Sequence, residues 1–131
     1  MSFNLIQPVR SPLIRRSARG MPCTFQIAGV CRYDWSTVVL CHLETPRQKG
    51  TSTKASDINA AYECLHCHDL IDMRDERWVI HREYFEFYKR RAINRTLHLL
   101  LKQDILQIKG GAYHTDLPDE VAPGQNAEVP F

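Results

Sequence analysis

The sequence lacks the long hydrophobic runs of a membrane protein. No apolar run reaches the roughly 18 residues that a spanning helix requires. Near the N-terminus, the hydrophobic residues are interrupted by Pro8 and Pro12 and by Arg10, Arg15 and Arg16. A secretory signal needs an unbroken apolar stretch in that region. The sequence therefore predicts no membrane partner and no export, and we expect a protein of the cytoplasm.

The chain also lacks an even set of cysteines. It has five, an odd number for a disulfide framework. In a reducing compartment, clustered cysteines bind metal more often than they bind each other. A chain of 131 residues can bury one modest core, and a bound metal would add folding free energy to it.

Each end of the chain lacks charges of one sign, although the net charge is only +2. No acidic residue precedes Gly20, and no lysine or arginine follows Lys109. We therefore predict a basic arm over residues 1–19, a folded domain over 20–109 and an acidic tail containing proline and glycine over 110–131. A basic arm suits phosphate groups, but a solvated arm without a partner explains the same charges equally well.

The middle of the chain predicts a small α+β fold. A β-branched run at 38–40 indicates a strand, a polar loop follows, and residues 60–63 form a second extended segment. A helix can follow the second cysteine pair, and apolar residues spaced three and four apart over 84–101 predict a longer C-terminal helix. The order of strand, loop, strand and helix is that of a ββα-metal core with an additional C-terminal helix or helices.

Two cysteine pairs predict a structural zinc site. Cys64 and Cys67 have the C-x-x-C spacing with which two thiolates bind one ion. Cys23 and Cys31 are separated by seven residues, more than is usual for a zinc pair. Together the four thiolates would form a closed tetrahedral shell with no open position for water.

Other interpretations of these cysteines stay open. His66 or His68 could replace one cysteine as a ligand, or the thiols could simply pack in the core. Cys41 falls at the end of the predicted first strand, where a cysteine is more often a small buried hydrophobic residue than a ligand.

A second metal site is indicated by His68 and Asp72. The two residues are four apart on the predicted helix and therefore share one face. An imidazole and a carboxylate can hold a divalent cation and leave positions for water and phosphate oxygens. The alternative is that Asp72 is an exposed helix residue and His68 a surface group.

His42 and Asn59 reveal a resemblance to a known family. His42 ends the predicted first strand in "CHL", Asn59 precedes the second in "NAAYEC", and "CLHCH" follows. In this order the motifs resemble those of HNH, or ββα-metal, endonucleases. The segments "ARGMPCTFQIAGVC", "KGTSTKASD" and "CHDLID" are more closely similar to the small lambdoid prophage nucleases, the family that includes YbcO. The resemblance covers about residues 17–74.

The resemblance implies a metal-dependent DNA endonuclease of phage or prophage type, active inside a bacterial or phage-infected cell. It implies that His42 is the general base, since histidine can accept a proton near neutral pH. It further implies that Asn59 orients His42 or the scissile phosphate, and that His68 binds the catalytic metal. Many members of the wider group have histidine or asparagine where this chain has Asp72. A carboxylate oxygen there favours Mg²⁺ or Mn²⁺.

Basic residues on both sides of the motifs are candidates for DNA binding. Each would contact the phosphate backbone without reading bases, and nothing resembles a recognition helix, so we expect low sequence specificity. Alternatively, these charges serve only solubility. The candidates are Arg15, Arg16 and Arg19 in the arm and Arg47, Lys49 and Lys54 in the polar loop.

Two other function classes compete with the nuclease. A non-catalytic zinc-binding module could use the same scaffold to contact DNA or protein, but such a module does not need His42, Asn59 and His68 at these spacings. A thiol-redox protein is disfavoured because the C-x-x-C pair lacks a surrounding βαβ pattern.

Overall fold

Two antiparallel strands lie at the centre of the fold. The structure is a computed structural model that describes residues 8–43 and 55–110. Strand β1 spans Val39–His42 and strand β2 spans Ala60–Glu63. Cys41 lies opposite Ala61, and His42 lies opposite Ala60. All four β2 residues are buried, because the strand is covered by the rest of the protein on both faces. Both strands were predicted from sequence at nearly these positions.

The N-terminal helix α1, Pro12–Ser17, packs on the core. Ser11 caps it, because its side-chain oxygen accepts a hydrogen bond from the Ile14 amide. Ile14 and Ala18 are buried in the core cluster. Part of the segment predicted as a basic arm is therefore an ordered helix attached to the domain.

Helix α2, Leu65–Ile71, begins directly after β2 and buries Cys67 and Leu70. A short helix α3, Trp78–His81, and a 3₁₀ turn, Arg82–Tyr84, lead into α4, Phe85–Lys102. The order β1, β2, α2, α4 confirms the predicted α+β arrangement of strand, strand, helix and longer helix.

Helix α4 packs against β2 and fixes its position with polar as well as apolar contacts. The Tyr62 amide donates a hydrogen bond to the Thr96 hydroxyl at 3.1 Å, and that hydroxyl lies 3.0 Å from the Thr24 hydroxyl. Thr96 thus connects β2, α4 and the N-terminal loop inside the core, where an unpaired polar group would be costly. The fully buried side chains of the core include Phe25, Ile27, Trp35, Tyr62, Leu70 and Leu100.

The loop residues Arg47, Lys49 and Lys54, proposed to bind DNA, lie outside the described residues. Within residues 8–43 and 55–110, the helices are too short or too polar to cross a membrane.

Candidate functional site

The four predicted zinc ligands are clustered and buried. The sulfur atoms of Cys23, Cys31, Cys64 and Cys67 all lie within 4.8 Å of one another, and those of Cys31 and Cys64 are 3.9 Å apart. Cys64 is the N-cap of α2, and Cys67 lies in its first turn. The other two cysteines come from the N-terminal loop. Four thiols that meet in this way without a disulfide could hold a metal such as zinc.

Hydrogen bonds among the thiols influence their protonation. A hydrogen bond with Cys23 lowers the pKa of Cys31, and hydrogen bonds with Cys23 and Cys31 lower the pKa of Cys64. Burial raises the pKa of Cys23. The cluster therefore favours thiolate at some positions and thiol at others, and a cation would allow all four to ionise. Histidine does not take part in this sulfur cluster in the described regions of the chain.

His42 forms a close pair with Asp57. Its Nε2 atom lies 2.7 Å from Oδ1 of Asp57, whose side chain is fully buried in the turn before β2. The Asp57 Oδ2 atom accepts hydrogen bonds from the Ser11 amide at 2.6 Å and from the Arg15 guanidinium at 2.7 Å. Burial tends to raise the pKa of Asp57, but the hydrogen bonds from Ser11 and His42 and the charge of Arg15 outweigh it and lower the pKa.

This pairing assigns a tautomer to His42. An ionised carboxylate only accepts hydrogen bonds, so the Nε2 atom of His42 carries the proton that it donates to Asp57. In the neutral ring, Nδ1 is then the atom that can accept a proton. The sequence did not single out Asp57, because a carboxylate in a polar loop carries no periodic signal.

The predicted pair of His68 and Asp72 meets at the end of α2, where His68 lies in the helix and Asp72 is the C-cap residue. The His68 Nε2 atom lies 3.0 Å from Oδ2 of Asp72. The same carboxylate oxygen is 3.2 Å from Nη2 of Arg74. Asp72 is exposed and already has Arg74 as a cationic partner.

Glu63 is a buried acid that the sequence analysis did not recognise. Its side chain is inaccessible to solvent, and neither carboxylate oxygen makes a hydrogen bond to another described residue. One ligand atom each of Glu63, Cys41 and His68 lie within 4.8 Å of one another. Burial raises the pKa of Glu63 well above its usual value, and a contact with the Cys41 thiol only partly offsets this. Burial, reinforced by the charge of Glu63, also raises the pKa of Cys41. A glutamate in the otherwise apolar second strand is the signal that could have revealed this residue.

Two histidines and two acidic residues line the same small cavity. It has a volume of about 180 Å³, enough to hold water molecules. His42 borders it from the end of β1, and His68 and Asp72 border it from α2. Its other lining residues are Cys41, Leu43, Glu63, Ile71 and Lys89.

Among the described residues, the other predicted site residues outside the cysteine cluster do not line this cavity. Asn59 lines a separate, larger cavity of about 710 Å³ along α4, to which Leu43 and Lys89 also contribute. Arg16 lies in α1 and Arg19 just after it, and both are exposed. They border a third depression beside Val38 and Val39. Arg15 is held against Asp57.

The chain is similar to known proteins. A protein-family profile described as "Putative nuclease YbcO" matches residues 13–105. Two proteins named putative nuclease YbcO, from Escherichia coli K12 and from Enterobacteria phage 82, are each 33% identical over 94 residues, covering 72% of this chain and 96% of the relative. A solved structure described as a putative bacteriophage protein from Escherichia coli K-12 has a TM-score of 0.56 and 30% identity, covering 70% of this chain and 100% of that chain. The match spans β1, β2, α2 and α4 together with both cysteine pairs, and the chain therefore belongs to the YbcO family.

Proposed function

We propose that this protein is a hydrolase of nucleic acid: a metal-dependent DNA endonuclease of phage or prophage type, with an HNH-like ββα-metal core and low sequence specificity. The name of the family supports a nuclease. The order of β1, β2 and α2 around a four-cysteine cluster that suits a structural zinc ion supports the HNH-like assignment.

One observation carries the proposal: His42, oriented by a buried carboxylate, borders the same small cavity as His68 and Asp72. A positioned base beside a potential metal site is what phosphodiester hydrolysis requires. A module that only binds DNA or protein has no need of a histidine paired in this way.

In the proposed mechanism, Asp57 holds the His42 ring so that Nδ1 accepts a proton from the attacking water. Proton transfer to Nδ1 makes the ring cationic, and the adjacent Asp57 carboxylate stabilises that charge. The fixed ring orientation means that little reorganisation is needed when the proton moves.

The metal would be held on the α2 side of the cavity, where His68 and Asp72 offer a nitrogen and an oxygen donor. A divalent ion bound there would offset the charge that develops on the leaving 3′ oxygen. Asp72 by itself would favour Mg²⁺ or Mn²⁺. We propose that Asn59 acts from outside the cavity by holding the chain beside His42. Its main-chain carbonyl accepts a hydrogen bond from the Leu43 amide at 3.1 Å.

Basic residues near the cavity would place the DNA backbone. Lys89 of α4 borders both the small cavity and the larger one beside it, so a phosphate entering the site would pass its ammonium group. Arg16 and Arg19 are exposed and available for phosphates farther along a strand. Arg15 is also a proposed DNA contact, although it already pairs with Asp57. We propose the same role for Arg47, Lys49 and Lys54.

The direct test is cleavage of supercoiled plasmid by purified protein with added Mg²⁺, Mn²⁺ or Zn²⁺. We expect nicked or linear products that disappear with EDTA. Absence of cleavage of duplex, single-stranded and branched DNA with every metal would reject the endonuclease and favour a zinc-binding module.

A further inference from the structure

We infer that Cys41, Glu63 and His68 form a second metal site, selective for zinc and similar transition-metal ions over Mg²⁺. Glu63 and Cys41 are then metal ligands, although the sequence analysis favoured a buried hydrophobic role for Cys41 and did not single out Glu63. The metal site is inferred from the geometry of these three residues and does not depend on the proposed function. Its use in DNA cleavage rests on the proposed endonuclease.

The first argument is the isolation of the Glu63 carboxyl group. It is inaccessible to solvent and, apart from its contact with the Cys41 thiol, makes no hydrogen bond among residues 8–43 and 55–110, and a buried carboxylate is stable only when paired or coordinated. Lys89 borders the cavity, but its ammonium group lies 3.4 Å from Glu86. A metal ion in the cavity would supply the missing positive charge.

The second argument is the position of the three donors. Cys41 and Glu63 are on neighbouring strands, and Cys41 pairs with Ala61, two residues before Glu63. Because alternate residues of a strand share a face, the thiol and the carboxyl project towards the same side of the sheet. His68 approaches from the second turn of α2, and one atom of each lies within 4.8 Å of the others. Ligands of a tetrahedral zinc are about 3.5 Å apart, so small side-chain rotations would close the site.

The third argument is the chemistry of the donors. A thiolate and an imidazole favour Zn²⁺ and related ions, whereas Mg²⁺ prefers oxygen ligands only. Three protein ligands leave a fourth position open for water, as in catalytic zinc sites. That position would lie within the cavity that His42 borders. In the proposed endonuclease, this site would replace a Mg²⁺ or Mn²⁺ site built from His68 and Asp72 alone.

The test counts metal ions per chain without using activity. Wild type, Glu63→Gln and Cys41→Ser are dialysed against trace zinc and analysed by mass spectrometry of metals. Glu76→Gln is the matched control, because Glu76 is exposed. We expect two zinc ions in wild type and control, one in each of the other variants, and no displacement of the second zinc by excess Mg²⁺.

Cobalt distinguishes the ligands. Co²⁺ added to protein that retains only its four-cysteine zinc should give visible d–d bands and a thiolate charge-transfer band in the near ultraviolet, and Cys41→Ser should lose the charge-transfer band. If Glu63→Gln does not fold, Cys41→Ser and Cys41→Ala still test the site. Wild type that saturates at one metal ion, or a second ion that both Cys41→Ser and Glu63→Gln retain, would overturn the inference. A second zinc that depends on Glu63, in protein that cuts no DNA, would uphold the site and reject the nuclease.

Discussion

The Nε2 atom of His42 lies 2.7 Å from Oδ1 of Asp57. The other oxygen of the same carboxylate accepts hydrogen bonds from Ser11 and Arg15. One buried acid therefore connects the end of β1 with the start of α1. This arrangement couples the orientation of the proposed base to the packing of the N-terminal helix, and the two effects can be separated by mutation.

Replacing His42 with alanine should reduce plasmid cleavage by about 10²- to 10⁴-fold, the usual contribution of a general base. The zinc content and DNA affinity should stay unchanged, because His42 lies outside the four-cysteine cluster. His98→Ala is the control, since His98 is exposed on α4. If Asp72 is a metal ligand, excess metal should restore part of the activity of Asp72→Ala, whereas a metal site built from Cys41, Glu63 and His68 predicts no such rescue. Excess metal should restore none of the activity of His42→Ala. A His42→Ala variant that cuts like wild type would remove His42 from the mechanism.

Asp57→Asn should lower the kcat of cleavage by about 10²-fold, as expected when a reacting group loses its orientation. The KM for DNA should change little. Asp104→Asn, at an exposed position, serves as the control. A loss of activity that comes from a higher KM, or that matches a loss of folded protein, would indicate only a structural role for Asp57.

Acid should destabilise the protein through Asp57. Its pKa in the folded state is lowered below the unfolded value of about 3.9, so its contribution to stability is present above that value and is lost as the pH falls through the folded pKa. Urea unfolding of wild type between about pH 6 and pH 3 should show a steeper decline than unfolding of Asp57→Asn. Identical slopes for the two proteins would contradict this assignment.

Cys64→Ser should lose the zinc of the four-cysteine cluster and unfold or aggregate, because the binding free energy of such a site contributes to folding. Cys41→Ser should keep that zinc and the fold, since Cys41 is not part of the cluster. Circular dichroism and metal analysis of both variants check the difference. Folded wild-type protein without zinc would refute the structural site.

Neutralising Arg16 and Arg19 together should weaken DNA binding and reduce the salt slope by about 0.9 for each lost phosphate contact. Substitution is a better test than deleting residues 1–16, because a deletion would remove Ile14 from the core. The control is Arg32→Gln combined with Lys109→Gln, which removes two exposed charges elsewhere. Fluorescence anisotropy at several salt concentrations gives the slopes, and equal slopes would assign the arm charges to solubility.

The sequence alone determined features that depend on neighbours along the chain. Strand β2, the C-x-x-C pair and the shared face of His68 and Asp72 are set by short spacings, because the periods of strands and helices fix which nearby residues point the same way. The order of β1, β2, α2 and α4 followed from the same patterns and from turn-forming residues between them. Resemblance to a known family then suggested which of these residues matter.

Only the tertiary structure decided which distant residues meet. It brought Cys23 and Cys31 to Cys64 and Cys67. It placed Asp57 against His42, whereas the sequence alone would predict a solvent-exposed carboxylate in a polar loop. It also buried Glu63 beside Cys41 and His68. These contacts arise when β2 is enclosed and α1, α2 and α4 pack around it, because burial removes water from a side chain and so determines which charges need a partner.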